Sequence, residues 1–152
     1  MKSRVVAIAS DHAGFSLKTT LIADLSAMGH DVLDLGPSGT DSVDYADFAH
    51  ALARALTGGR ADCGVLVCGS GIGISMAANR HRGVRAALCH DSLSARLARQ
   101  HNDANVLALG ERLIGVEVAR DALRTFLETP FEGGRHARRV EKIDSGVDAS
   151  AA

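Results

Sequence analysis

The sequence predicts a single α/β domain in which a five-stranded parallel sheet lies between two layers of helices. Short continuous apolar runs of strand length alternate along the chain with longer segments of helical periodicity. Parallel strands buried on both faces typically have such apolar runs, and right-handed crossovers join strands that alternate with helices. The length of 152 residues fits one domain with a sizeable core.

The predicted elements follow one another in a regular order. Strands are expected at 5–9, 31–35, 64–68, 84–88 and 105–109, which are mostly apolar. Helices are expected at 14–28, 45–56, 72–80, 92–100 and 116–127, with a shorter one at 136–143. Glycines follow the first two helices, and Pro130 follows the fifth. One domain would cover 1–152, with a frayed tail from about residue 144.

Composition and charge exclude several classes of function. With 17 basic and 18 acidic side chains, a net charge of −1 and 3% aromatic residues, the chain lacks the basic, ring-rich surface of nucleic-acid-binding proteins. No segment approaches the ~20 apolar residues of a membrane helix. We therefore expect neither a nucleic acid nor a membrane as a partner. Three cysteines, without zinc-ribbon spacing, indicate free thiols and a cytoplasmic location.

The most informative motif is the glycine-rich loop after the third strand, CGSGIGIS at 68–75. Its alternate glycines let backbone N–H groups converge on an anion at a helix N-terminus. The loop lacks the third glycine of the dinucleotide fingerprint and the lysine of the P-loop. Cys68 ends the strand, where a helix N-terminus favours its thiolate, whereas Cys63 and Cys89 are interpreted as structural. A tight turn without a ligand is the alternative interpretation of this loop.

Two further polar segments lie beside predicted strands. Asp11-His12 follows the first strand and could orient hydroxyls or bind a phosphate, or Asp11 could simply cap the next helix. The segment QHNDAN at 100–105 connects the fourth helix to the fifth strand. Its His101 and Asn102 could contact a ligand, or the segment could be only a helix stop with turn-forming residues.

A basic segment near the C-terminus could bind phosphate. Arg135 and Arg139 are four residues apart, so both can face one phosphate from a helix, although a solvated basic helix is the alternative. No Cys, His or acidic pair shows ligand spacing, so no metal is expected. A thiolate, an imidazole, an amide cradle and phosphate-binding arginines together favour proton transfer on a phosphorylated sugar through an enediolate. A non-catalytic module that senses a sugar phosphate or nucleotide remains the rival interpretation.

These motifs resemble, in type and order, those of the ribose-5-phosphate isomerase B family, which includes galactose-6-phosphate and allose-6-phosphate isomerases. The resemblance extends from residue 7 to about residue 140. It rests on SDHAGF at 10–15, DY at 44–45, VCGSGIGIS at 67–75, AANR at 77–80, RQHNDANV at 99–106 and EGGRH at 132–136.

The resemblance implies a cofactor-free aldose–ketose isomerase on a Rossmann-like sheet. It implies a homodimer, or a dimer of dimers, whose subunits share active sites and whose substrate is a phosphorylated sugar. By similarity, Cys68 is the base that moves the proton between C1 and C2, His101 opens the sugar ring, Asp11 handles a hydroxyl, and Ser70 assists at the carbonyl or hydroxyl end. The implied substrate-binding residues are His12, Tyr45, Gly69, Gly71, Ile72, Gly73, Asn102, Arg112, Arg135 and Arg139.

Two departures from the family pattern bear on the site. Many members have proline after the Asp-Tyr pair, where this chain has Ala46, which affects the expected position of Tyr45. One subgroup uses a glutamate base at the position held here by Ile74, so Cys68 identifies the cysteine-using type. We expect interconversion of ribose 5-phosphate and ribulose 5-phosphate, with allose 6-phosphate or galactose 6-phosphate as alternative substrates.

Overall fold

The computed structural model describes residues 2–150 and contains a five-stranded parallel sheet. Its strands are β1 (Val5–Ser10), β2 (Asp31–Asp34), β3 (Cys63–Cys68), β4 (Ala86–Leu88) and β5 (Val106–Gly110). They lie in the order β2-β1-β3-β5-β4, and every neighbouring pair is parallel. The chain therefore turns one way from β1 to β2 and the other way to β3, so the topological switch point lies between β1 and β3.

Helices cover both faces of this sheet, so the predicted three-layer α/β architecture is confirmed. They are α1 (Phe15–Ala27), α2 (Tyr45–Thr57), α3 (Ile72–Ala78), α4 (Ser92–Asn102), α5 (Val116–Glu128) and α6 (Arg135–Ser150). Core residues of α1, α4 and α5 share one apolar cluster with one side of the sheet. Core residues of α2 and α3 form a second cluster with the other side. Helix α6 lies against α4.

The two core clusters are built from side chains of different size. The α1/α4/α5 face contains leucines from α1, α5 and β5 and the buried ring of Phe126. The α2/α3 face is rich in alanine, with Ala7, Ala9, Ala49, Ala53 and Ala108 all fully buried. Small side chains let helices approach a sheet closely. This close approach matters because a gap between helix and sheet would lose dispersion contacts. The α2/α3 face also carries the side chain of Cys68.

Two of the boundaries that differ from the sequence prediction have local causes. Strand β4 begins at Ala86 rather than at residue 84, because Val84 N–H donates to His81 in a turn and Arg85 N–H donates to the Asn105 side chain. Helix α4 continues through Asn102, so the predicted connector at 100–105 is partly helical. Its end is set by Asp103, which has a left-handed backbone conformation with φ of 47°.

Residues 144–150, for which the sequence analysis expects a frayed tail, continue helix α6. Tertiary contact explains the difference, because the Asp144 carboxylate accepts the N–H of Gly83 at 3.1 Å and Val147 lines a groove with Val84. Residues 151–152 lie outside the described part of the chain. Within residues 2–150, no helix combines the length and apolar composition needed to cross a bilayer.

Candidate active site

A cleft of about 380 Å³ lies at the carboxyl edge of β1, β3 and β5. Ligands of open parallel sheets bind at this edge, next to the switch point. The structure brings eight of the fourteen predicted site residues together around the cleft. They are Asp11, His12, Tyr45, Cys68, Gly69, Ser70, Gly73 and Arg112. Gly71 and Ile72 complete the same loop between β3 and α3.

The Cys68 thiol lies at the start of this loop, only 4% exposed but part of the cleft wall. Its sulfur accepts the backbone N–H of Gly71 at 3.1 Å. Gly71 has a positive φ of 76°, and an added Cβ would stand 2.6 Å from Leu88 and 2.9 Å from the Leu109 backbone. Only glycine fits there without displacing the loop. The glycine thus lets an amide stabilise negative charge on sulfur.

Other amides of the loop are left available for a ligand. Ile72 N–H donates to the Ser70 hydroxyl oxygen at 3.2 Å, which leaves the hydroxyl proton of Ser70 available to the cleft. Across residues 2–150, the N–H groups of Gly69, Ser70 and Gly73 have no protein acceptor. Converging amides at a strand-to-helix loop bind anionic oxygen, so this loop can act as an oxyanion hole.

Two glycines of the loop allow other side chains to come close. A Cβ at residue 73 would overlap the Tyr45 ring at 2.5 Å, so the ring lies directly against Gly73. Tyr45 begins α2 and remains 45% exposed, despite the departure at Ala46. The Arg112 guanidinium lies beside residue 69 at a longer distance, with its Nη1 at 3.4 Å from a Cβ placed there. Both side chains can therefore reach a ligand held by the loop.

The segment after β1 supplies the acid and imidazole side of the cleft. Asp11 is buried, and its Oδ1 accepts the N–H of Gly14 at 3.0 Å, so the predicted capping role is present. One carboxylate oxygen of Asp11 remains for a ligand. His12 Nδ1 lies 3.2 Å from the Val43 backbone nitrogen and 3.3 Å from the Val43 carbonyl oxygen, so it can accept from the first or donate to the second. When Nδ1 accepts, Nε2 of the neutral ring carries the proton and can donate to an anion.

Glu111 also belongs to this region, although sequence analysis singled out only its neighbour Arg112. Its backbone N–H donates to the Cys68 carbonyl, and its carboxylate accepts the N–H of Leu17 in the first turn of α1. Burial raises the pKa of the Glu111 carboxyl, the Leu17 N–H opposes the rise, and negative Asp11 adds to it. Its position after β5 was visible in the sequence, but its contact with α1 was not.

The remaining four predicted site residues lie elsewhere in the single chain. His101 and Asn102 end α4, which runs back from the carboxyl end of β4 to the start of β5. The backbone carbonyl of the nearby Asn105 accepts the N–H of Gly64 at the start of β3. They are therefore near the amino edge of the sheet, and β5 alone spans roughly 15 Å at about 3.3 Å per residue. Arg135 and Arg139 are exposed on α6, which lies against α4.

The thiols interpreted as structural are both buried. Burial raises the pKa of Cys63 and of Cys89, and in each case a weaker hydrogen-bonding or charge effect opposes it. Neutral, buried thiols are poor bases and poor nucleophiles. Cys68 is just as buried, and it differs from both in lining the cleft.

Comparisons with known proteins agree with this fold. The family model described as "Ribose/Galactose Isomerase" matches residues 6–143. Ribose-5-phosphate isomerase B of Escherichia coli K12 is 46% identical over 138 residues, covering 91% of this chain and 93% of that protein. D-erythrulose-4-phosphate isomerase of Pectobacterium atrosepticum is 44% identical over 140 residues, with 91% of each covered.

Solved structures give the same result. A ribose 5-phosphate isomerase from Thermotoga maritima superimposes with a TM-score of 0.93 at 51% identity, covering 95% of this chain and 99% of that one. Fold and site together define a sugar-phosphate isomerase. The chain belongs to the ribose-5-phosphate isomerase B family, as the resemblance of its motifs implied.

Proposed function

We propose that this protein interconverts ribose 5-phosphate and ribulose 5-phosphate by proton transfer through an enediolate. The observation that carries the proposal is the Cys68 sulfur in the cleft wall, held by an amide at the start of a loop with unpaired N–H groups. A thiolate at this place can remove the proton from C2 of the aldose and return it to C1. A binding module does not require a base beside an oxyanion hole.

The loop then stabilises the charge that proton removal creates. As the C2 proton leaves, negative charge develops on the oxygen at C1, and donors already in place lower that barrier. The N–H groups of Gly69 and Gly73 and the hydroxyl of Ser70 are the donors on the loop. Asp11, whose carboxylate also faces the cleft, can exchange a proton with a neighbouring sugar hydroxyl.

The phosphate end is assigned to cationic and N–H groups. His12 can donate from Nε2 when its Nδ1 accepts the Val43 N–H, and Arg112 and Tyr45 line the same cleft. The family resemblance adds Arg135 and Arg139 at the phosphate, Asn102 in the pocket and His101 at the ring oxygen. None of these four residues is among those that line the cleft of their own chain.

A second copy of the chain resolves this separation. In a homodimer, or a dimer of dimers, the α4 end and the first turn of α6 from one copy would close the cleft of the other. Exposed apolar side chains on α3, α4 and α6 are consistent with such an association, since a surface of this kind favours burial. They include Ile72, Met76, Leu93, Leu97 and Ile143.

The substrate panel that tests this proposal compares sugar phosphates of different length. Ribose 5-phosphate should be turned over faster than allose 6-phosphate, galactose 6-phosphate and D-erythrulose 4-phosphate, with activity measured from both ends of the reaction. The four-carbon substrate is included because it names the activity of a relative at 44% identity. If the enzyme prefers another member of the panel, that sugar phosphate is the substrate instead of ribose 5-phosphate. Tight binding without turnover would favour the sensor interpretation.

Chelation is expected to leave the activity intact. The proposed proton transfer uses a thiolate, amides and an imidazole, so no step requires a metal ion. Turnover of ribose 5-phosphate after dialysis against EDTA should be no lower than that of the untreated enzyme. A loss of activity that a divalent ion restores would contradict the cofactor-free mechanism.

Substitution of the α6 arginines should weaken substrate binding more than turnover. A charge-assisted phosphate contact exists in the ground state and the transition state alike, so Arg135→Ala or Arg139→Ala should raise KM with little change in kcat. Loss of such a contact costs ~1.5–3 kcal/mol, or roughly 10- to 100-fold in KM. Arg138→Ala, which removes an exposed arginine from the same helix, is the matched control. If the KM values of all three variants equal that of the wild type, the segment is a solvated helix that does not contact the phosphate.

A further inference from the structure

Three potential metal ligands converge where α4 ends and α6 begins, outside the cleft. The rings of His101 and His136 are stacked, with centroids 4.5 Å apart and planes 13° from parallel. Nε2 of His136 lies 3.4 Å from Oε2 of Glu132. Taking one ligand atom from each side chain, all three atoms lie within 4.8 Å of one another.

A second observation indicates that this cluster awaits a ligand. The His136 side chain is only 8% exposed, and its Nε2 has no hydrogen-bond partner within the described residues. Buried polar atoms are nearly always paired, because an unpaired one loses its water without compensation. His136 Nε2 faces the Glu132 carboxylate, and the negative charge of this carboxylate disfavours an anion as the missing ligand.

The chemistry of the three ligands favours zinc. Two imidazole nitrogens and one carboxylate oxygen form a common zinc donor set, whereas Ca²⁺ and Mg²⁺ prefer oxygen ligands alone. In a tetrahedral zinc site with bonds of about 2.0–2.1 Å, ligand atoms stand roughly 3.3–3.5 Å apart. The three atoms must therefore draw together. Parallel stacked rings cannot both direct an in-plane lone pair at one ion, so the half-buried His101 must turn out of the stack.

We propose that His101, Glu132 and His136 form an inhibitory zinc site. The inhibition, though not the binding, rests on the proposed function, in which His101 opens the sugar ring. A ring nitrogen that ligates zinc has no lone pair for proton transfer, and the turned ring no longer faces a substrate. Zinc thus competes with catalysis, so chelation leaves the activity unchanged or raises it.

Zinc binding is tested without turnover, by calorimetric titration of Zn²⁺ into metal-free protein. The wild type should bind one ion per chain, and the isosteric Glu132→Gln should weaken its affinity at least ~10-fold, the smallest loss typical of even an outer-shell substitution. Glu141→Gln, which removes an exposed carboxylate from α6, should bind zinc as the wild type does. His136→Asn removes a different ligand and should also weaken zinc binding, and circular dichroism checks that this variant is folded.

Activity assays then test inhibition. Without zinc, Glu132→Gln should turn over ribose 5-phosphate like the wild type, and with zinc it should need at least ~10-fold more metal for half inhibition. Wild-type affinity for zinc in Glu132→Gln, or no zinc binding by the wild type, would overturn the site. Loss of zinc binding in Cys68→Ser alone would place the ion on the thiol and also overturn it. Calorimetric binding in an inactive protein would instead count against the proposed function.

Discussion

Replacing Cys68 with serine is expected to abolish proton transfer while substrate binding persists. Serine has nearly the shape of cysteine and can still accept the Gly71 N–H, but its hydroxyl is a far weaker base. Loss of general base catalysis typically costs ~10²–10⁴-fold in rate. The direct measurement is deuterium incorporation at C1 or C2 of the sugar in D₂O, beside a titration of substrate binding.

The chain provides a matched control for this substitution. Cys89→Ser makes the same change at the buried thiol after β4, where burial raises the thiol pKa. It should leave the exchange rate near that of the wild type. Wild-type exchange in Cys68→Ser would show that another residue is the base. If the wild type binds tightly but exchanges no deuterium, the protein is a sensor.

Mixing two inactive variants is expected to restore activity. Cys68→Ser lacks the base, and His101→Asn lacks the imidazole at the amino edge of the sheet. We assume that each site takes Cys68 from one copy and His101 from the other. After random exchange, half of the dimers are then hybrids, and each hybrid has one intact site and one site with both defects. Recovery of roughly a quarter of the wild-type activity is therefore expected after subunit exchange in an equimolar mixture.

The control for this experiment mixes Cys68→Ser with Ser70→Ala. Both substitutions lie in the loop of one cleft, so a hybrid has no site free of defects, and activity should not rise above that of the parents. Light scattering on the same samples gives the oligomeric state. A fully active monomer would rule out shared sites, and a dimer without complementation would show that each site takes both residues from one chain.

The cleft was predictable because its parts follow strands directly. In a parallel sheet, whatever comes after each buried run is carried to one edge, so Asp11-His12, the glycine loop and Arg112 could be grouped without coordinates. Tyr45 was different, because it begins a helix and reaches the loop only through its contact with Gly73. The family resemblance supplied that residue, since no spacing in the sequence indicates the contact.

The cluster of His101, Glu132 and His136 could not be predicted from spacing. Ligand spacing is informative within one element, whereas these side chains come from the last turn of α4, a connector and the first turn of α6. The end of α4 was also missed, because local propensity stops a helix at polar residues. The helix ends two residues later than predicted, at Asn102, and the N–H groups of Asp103 and Ala104 donate to the carbonyls of Arg99 and Ala98.

The alanine-rich α2/α3 face has a consequence for how this protein can vary. Where alanine methyl groups lie between a helix and a sheet, an added methylene has little space to enter, and overpacking of this kind typically costs ~1–3 kcal/mol. The face that supports Cys68 therefore tolerates enlargement of its alanines poorly. The leucine-rich opposite face can exchange side chains of similar volume at little cost. In directed evolution toward new substrates, accepted substitutions should therefore concentrate at the rim of the cleft and in the α1/α4/α5 core face. The alanines of the α2/α3 face should remain unchanged.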